Sequence, residues 1–291
     1  MNQRRHRHQL DQHDLGLRYD LPLLTSLSRP GLSRRNALRV IGGASVLALA
    51  ACAGKSDTAA STTADTTAGT DATIADNTTA GATTDSQPAT GTIPNETAGP
   101  FPGDGSNGPD VLSQSGVVRR DITTSLGSSA TAPGIPLTVT LKITDGVNGP
   151  PIPGAAVYLW HCDQQGRYSM YSQGVANETF LRGVQEADAN GELTFVTIYP
   201  GCYSGRWPHM HFELFDSLEP AAPKLAISQL AMTEASATQA FATAGYEASV
   251  ANFAGMTLAG DMVFADGAGL QTPTTTGDIS NGFAATLTVA V

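Results

Sequence analysis

Residues 199 to 215 read "YPGCYSGRWPHMHFELF" and place two tyrosines, an arginine and a His-x-His pair in seventeen positions of a chain with only six histidines. Successive side chains of a strand point to opposite faces, so His209 and His211 share one face, about 7 Å apart at Cα, and Met210 turns away. Two imidazoles held this way are a ready metal pair, although an isolated His-x-His can equally be an exposed or backbone-bonded pair. The neighbours decide the weighing. Tyr203 precedes His209 across a turn containing Gly205 and Pro208, short enough to fold its phenol back over the strand. Tyr168 lies in "HCDQQGRYSMYS", just past an apolar stretch ending at Trp160. A phenol loses its proton only to a strongly Lewis-acidic cation, and phenolate oxygens with imidazole nitrogens suit ferric iron better than zinc or calcium.

These residues need a rigid frame. The segments Leu137 to Ile143, Ala155 to Trp160, Leu193 to Ile198, His209 to Leu214, Lys224 to Met232 and Ala284 to Val289 are short, rich in β-branched or aromatic residues and bounded by Gly, Pro, Asp or Asn; they read as strands. Thr138 to Ile143 alternates polar and apolar as a half-buried strand does, and "DANG" at 188 to 191 is a hairpin signal. After residue 100 only 233 to 253 could form short helices. The expectation is an all-β fold, a β-sandwich with loop-rich additions, over residues 93–291.

The first third of the chain has another character. Ser33-Arg34-Arg35-Asn36-Ala37-Leu38-Arg39 is a twin-arginine pattern, followed by about twelve apolar residues, too few for a hydrocarbon core about 30 Å thick, and by Leu49-Ala50-Ala51-Cys52, a lipobox. Residues 1–51 read as an export signal, by the twin-arginine or the general route, with Cys52 lipidated as the mature N-terminus or the protein secreted. Residues 52–92 are almost all Thr, Ala, Asp, Ser and Gly and read as a disordered linker that cannot bury enough apolar surface to fold. Residues 1–51 hold 8 of the 16 Lys and Arg and 3 of the 26 Asp and Glu, which leaves 8 bases against 23 acids and a net charge of −15 in the mature chain. Such a surface excludes nucleic acid as a partner and leaves membrane attachment to a lipid on Cys52. Cys162 and Cys202 could form a disulfide or remain two buried thiols.

The blocks "PNETAGPF" (94 to 101), "VVRRDI" (117 to 122), "VYLWHCDQQGRYS" (157 to 169), "DANGELTFVTIYPGCYSGRWPHMHF" (188 to 212) and "KLAISQL" (224 to 230) resemble, in order, those of intradiol ring-cleavage dioxygenases of the protocatechuate and catechol type, above all exported members. The resemblance implies a β-sandwich holding one Fe(III) through two tyrosinates and two histidines, here Tyr168, Tyr203, His209 and His211. It implies a catechol and O2 as substrates, opening of the ring between the hydroxyl-bearing carbons to a muconate-type diacid, and a Tyr203 that dissociates to help accept a proton. Arg206 would stabilise negative charge on the substrate, and Gln229, one residue out of the family spacing, would hydrogen-bond a substrate or O2-derived oxygen. Ala98 and Cys202 depart from the family pattern, and the helical dimerisation region of the cytoplasmic catechol type is missing, so the resemblance carries over no oligomeric state.

Tyr158, Tyr171 and Tyr199 read as packing or wall residues, His161 as a strand-end histidine, Arg119 and Arg120 as structural, and Trp160 and Trp207 as core or pocket aromatics. The rhythm Pro-x-x-Gly, Asp-x-x-Gly, Pro-Gly-x-Tyr also fits a non-catalytic binding module of the transthyretin-like or adhesin type, which would leave the His-x-His, Arg206 and Tyr168 unexplained.

Overall fold

A computed structural model describes residues 91–291. The export signal over 1–51, the lipid site at Cys52 and the linker, apart from its last two residues, lie outside the described residues.

Two four-stranded sheets carry the domain. The first has the order β4-β1-β8-β7, from β1 (Pro136–Thr144), β4 (Glu192–Ile198), β7 (Thr274–Asp278) and β8 (Gly282–Ala290). The second has the order β3-β2-β5-β6, from β2 (Ala156–Trp160), β3 (Arg182–Glu186), β5 (His209–Phe215) and β6 (Lys224–Ala231). Neighbouring strands are antiparallel except β1 and β8, which run parallel with Leu137 opposite Phe283. Six of these strands are those expected from sequence. β3, "RGVQE", and β7, "TTTGD", were not, because neither has an apolar alternation to betray it.

Alternation along the strands builds the core between the sheets. Val139, Leu141 and Phe195 of the first sheet meet Leu159, Met210 and Phe212 of the second, all without solvent exposure, each side chain worth roughly 1.5–3 kcal/mol of burial. β5 is decisive for the site: Met210, Phe212 and Leu214 enter this core, and His209, His211 and Glu213 must then project from the opposite face of the second sheet. That outer face is buried as well. A separate apolar cluster around Tyr158, Trp160, Tyr168 and Val111, with Ala98 and Phe101 against it, roofs it over.

The expected helices are α1 (Glu234–Phe241), capped by Thr233, whose hydroxyl accepts from Ser236 N, and α2 (Glu247–Ala254). Tyr246, preceding α2, bonds both the Tyr199 carbonyl and the Ile135 amide, fastening the helices to the sandwich end. No helix among the described residues is long and apolar enough to cross a membrane.

Candidate metal centre

The second sheet supplies the two histidines directly. His211 lies opposite Trp160 on β2 and Gln229 on β6, and the Trp160 indole stacks on its imidazole at 5.0 Å and 8°. Gly99, with φ +68°, covers another side; a Cβ there would lie 3.2 Å from His211 Cε1, so the segment 94–101 can approach this closely only with glycine. His209 Nδ1 bonds the Trp207 carbonyl. A carbonyl only accepts, so the proton sits on Nδ1 and His209 Nε2 carries the lone pair that can accept or ligate.

Loops bring the phenols. Helix α2 grips the residue before Tyr203: the Cys202 amide donates to Ser249 Oγ and Asn252 Nδ2 donates to the Cys202 carbonyl. The chain then reverses through Gly205, at φ +83°, and returns as Arg206 and β5. Tyr203 Oη lies 3.1 Å from His209 Nε2, as the short turn predicted. Tyr168 sits in a loop knotted by Asp163, which accepts the amides of Gln165 and Arg167 and pairs with the Arg167 guanidinium at 2.7 Å. Its ring packs on Phe101 at 4.9 Å and lies edge-on to Tyr203 and His211.

The sequence-derived candidates Tyr168, Tyr203, Arg206, His209, His211 and Gln229 therefore meet at one place. His209 Nε2 and His211 Nε2 are 3.1 Å apart. Burial first, and then the Arg206 charge, hold both imidazoles well below their usual range, so both are neutral. Two nitrogens bonded to one first-row cation at about 2.0–2.1 Å are separated by about 3 Å, and the observed spacing suits that. Burial raises both phenols above their usual range; Tyr168 Oη lies beside the Tyr203 hydroxyl, buried and without a well-formed hydrogen bond. An unsatisfied buried phenol facing two neutral imidazoles fits a hard, strongly Lewis-acidic cation that displaces phenolic protons. Ferric iron meets that description. No group of three or more His, Cys, Asp or Glu side chains among the described residues offers a competing site.

Arg206 is 5% exposed and touches the cluster, with Nη1 3.2 Å from His209 Nε2 and Nη2 donating to Gln229 Oε1 at 2.6 Å. Gln229, in spite of its shifted spacing, is fully buried and also donates to the Thr97 carbonyl at 2.9 Å. Near this edge Glu96 bonds Gln271, and burial with the neighbouring Asp266 charge pushes its carboxyl up to about 7.

The bystanders behave as expected. His161 is buried, bonded to Thr197 and the Cys162 carbonyl, and held down at about 4 by burial. Tyr171 bonds Gly103 and Asn107 as a wall residue, and Arg119 binds three backbone carbonyls. Cys162 and Cys202 are buried free thiols rather than a disulfide; burial pushes Cys202 up to about 12.

Sequence reasoning missed two charged residues. Arg182, fully buried on β3, binds the carbonyls of Phe101, Pro102 and Ser169, the Ser169 hydroxyl and Tyr158 Oη, so one guanidinium ties the segment over His211 to the loop of Tyr168. A lone arginine in the apolar setting "TFLRGV" was its only sequence signal. Asp261, also fully buried, accepts from Arg206 Nε at 2.9 Å; in "AGDMVF", 55 residues away, nothing marked it.

A family model described as Dioxygenase matches residues 107–261. Among solved structures, an intradiol ring-cleavage dioxygenase from Tetranychus urticae is 25% identical over 69% of this chain and 93% of its own, with a TM-score of 0.52. The dioxygenase domain of a dioxygenase carbohydrate-binding protein fusion from Streptomyces sp. SirexAA-E is 21% identical over 69% and 97%, with a TM-score of 0.46. A hydroxyquinol 1,2-dioxygenase from Pseudomonas putida DLL-E4 is 18% identical over 70% and 68%, with a TM-score of 0.43. No curated protein sequence matches significantly.

Proposed function

The chain belongs to the intradiol ring-cleavage dioxygenase family, and we propose from this that it holds one Fe(III) through Tyr168, Tyr203, His209 and His211 and cleaves a catechol. Both atoms of O2 enter the product, a muconate-type diacid, so no external reductant is needed. The observation that carries the reading is the meeting of a buried phenol, Tyr168, and a part-buried one, Tyr203, with two neutral imidazoles, their Nε2 atoms 3.1 Å apart, on the roofed outer face of the second sheet.

Ferric iron, when bound, would draw charge from a catecholate and make its ring carbon reactive to O2. The chain's own groups divide the remaining work. Tyr168 is 2% exposed and packed against Phe101, whereas Tyr203 is only partly buried on a glycine-containing turn. Tyr203 is thus the phenol able to swing away and take a proton from a substrate hydroxyl. Arg206 keeps its charge throughout and presents Nη1 toward the cluster, where it stabilises negative charge developing on the ring oxygens. Gln229 braces that guanidinium, while Trp160 and Gly99 keep the His211 ring in one plane and water away from it.

The leader pattern further assigns the enzyme to the cell envelope, lipid-anchored through Cys52 or secreted. A bare β-sandwich binding module would need none of the buried cluster.

Purified protein expressed with ample iron should contain about one iron per chain, show a broad visible band from ferric tyrosinate and take up oxygen with catechol. Stoichiometric zinc or copper without that band would overturn the iron site. A coloured protein inert toward every substituted catechol in an oxygen-uptake screen would overturn the activity.

A further inference from the structure

We propose that Asp261 is a positioning residue for the reaction, a buried carboxylate that sets the Arg206 fork in one orientation over the tyrosine–histidine cluster. The inference rests on the dioxygenase reading above and adds a residue to it.

Asp261 follows a short 3-10 turn, Leu258–Gly260, and is wholly inaccessible to solvent. Its Oδ2 accepts from Arg206 Nε at 2.9 Å and from the Trp207 amide at 2.6 Å. Its Oδ1 accepts from the amides of Val263 at 2.8 Å and Phe264 at 3.4 Å. One carboxylate thus gathers donors from two segments far apart in sequence.

The way it takes the guanidinium matters more than the ion pair itself. A carboxylate and an arginine commonly pair through two parallel bonds that use up two nitrogens of the fork. Here the carboxylate shares its Oδ2 between Nε and a backbone amide, which leaves Nη2 for Gln229 and Nη1 directed at His209. Nε and Nη2 are anchored to different elements, so the plane cannot rotate about its long stem. The Trp207 amide held by the same oxygen belongs to the residue whose carbonyl orients His209. The Phe264 amide held by Oδ1 fixes a ring that lies 6.4 Å from the His209 imidazole and 5.9 Å from the Arg206 guanidinium.

A group that only holds a charge-stabilising donor in place should affect the turnover number and spare substrate binding. In iron-loaded full-length protein, Asp261→Asn should keep its iron, its visible band and a near-wild-type anaerobic Kd for 4-nitrocatechol read from the spectral shift. Its kcat should fall about 10- to 100-fold with KM little changed, the usual consequence of misplacing a reacting group by about 1 Å. Combining it with Arg206→Ala should make the enzyme no slower than Arg206→Ala alone, because the carboxylate acts through the arginine. Undiminished kcat in Asp261→Asn, or losses that multiply in the double variant, would overturn the proposal. Should Asp261→Asn not accumulate as coloured protein, Asp261→Glu retains the charge and moves it by one methylene; it is expected to hold iron and lose kcat, and wild-type kcat there is equally decisive against the role. Iron-loaded wild type that takes up no oxygen with any catechol marks the failure of the dioxygenase reading instead, and the positioning role falls with it.

Discussion

On the first sheet the outward side chains of β1, Thr138, Thr140 and Lys142, stand half or fully in solvent, whereas on the second sheet those of β5, His209, His211 and Glu213, are all buried. Both strands alternate polar and apolar residues, and both give their apolar half to the same core. The difference is the roof. A sheet with mostly antiparallel pairs can leave one face wet, but polar groups under a roof need partners. Glu213 has Lys224 at 2.6 Å and the Trp207 carbonyl takes His209 Nδ1, yet Tyr168 Oη has no hydrogen-bond partner and the two Nε2 atoms face each other at 3.1 Å. A buried face whose polar atoms are incompletely partnered is a site; an open face with the same alternation is a surface.

The strongest way to break that contrast is to remove a ligand. His211→Ala is expected to abolish iron retention and colour, while Met210→Leu, on the core side of the same strand, should leave both intact; equal loss in metal analysis would mean that β5 does not divide its residues between two faces. Next in size is Arg206→Ala, which should keep iron and the catechol-induced spectral shift but lose about 10²- to 10³-fold in kcat. Near-wild-type turnover would return Arg206 to a structural ion pair.

Arg182 tests the roof itself. Arg182→Met leaves the carbonyls of Phe101 and Ser169 without their donor, and the domain should lose on the order of 3 kcal/mol in urea denaturation. On the open face, Lys142→Ala should stay within about 0.5 kcal/mol of wild type. Similar values for the two would show that the roof is not held by this guanidinium.

A pH-dependent effect is expected at Glu96, whose carboxyl is pushed from 4.5 up to about 7 in the folded chain, by burial and then by Asp266. The folded state therefore holds a proton that the unfolded state has released between those two values, and stability falls as pH rises through that window. Glu96→Gln should match wild type below it and be more stable above pH 7. A difference that grows toward acid pH in thermal melts would contradict the assignment.

How far the sequence disclosed this arrangement follows the same division. β5 could be read to the face, since His-Met-His-Phe-Glu alternates cleanly, and the spacing of Tyr203 from His209 foretold a phenol folded over the strand. The blocks resembling a known family placed Tyr168, Arg206 and Gln229 as well. The roof could not be read. It is made of irregular segments, such as 94–112, whose contacts with the second sheet lie far away along the chain, and of single charges, Arg182 and Asp261, whose partners are mostly backbone groups. A backbone carbonyl or amide leaves no mark in a sequence, so the residues that bind it look like any other arginine or aspartate. β3 and β7 escaped for a related reason: neither carries an apolar alternation, and each is defined by the neighbour it pairs with.

The parallel pairing of β1 with β8 sets the order in which this molecule can assemble. Tyr168, Tyr203, His209, His211 and Gln229 have all been synthesised well before the last strand, but β8 is a central strand of the first sheet, between β1 and β7. Without it β1 has only β4 beside it, a two-stranded ribbon that is marginal in water. The inner face on which Met210 and Phe212 pack then lacks Phe283, Leu287 and Val289. Joining Leu137 to Phe283 closes a loop spanning most of the domain, and such distant pairing makes folding slow. The side chains proposed to hold the iron are therefore all present along the chain before the strand Gly282–Ala290 docks and completes the sheet against which their own sheet packs.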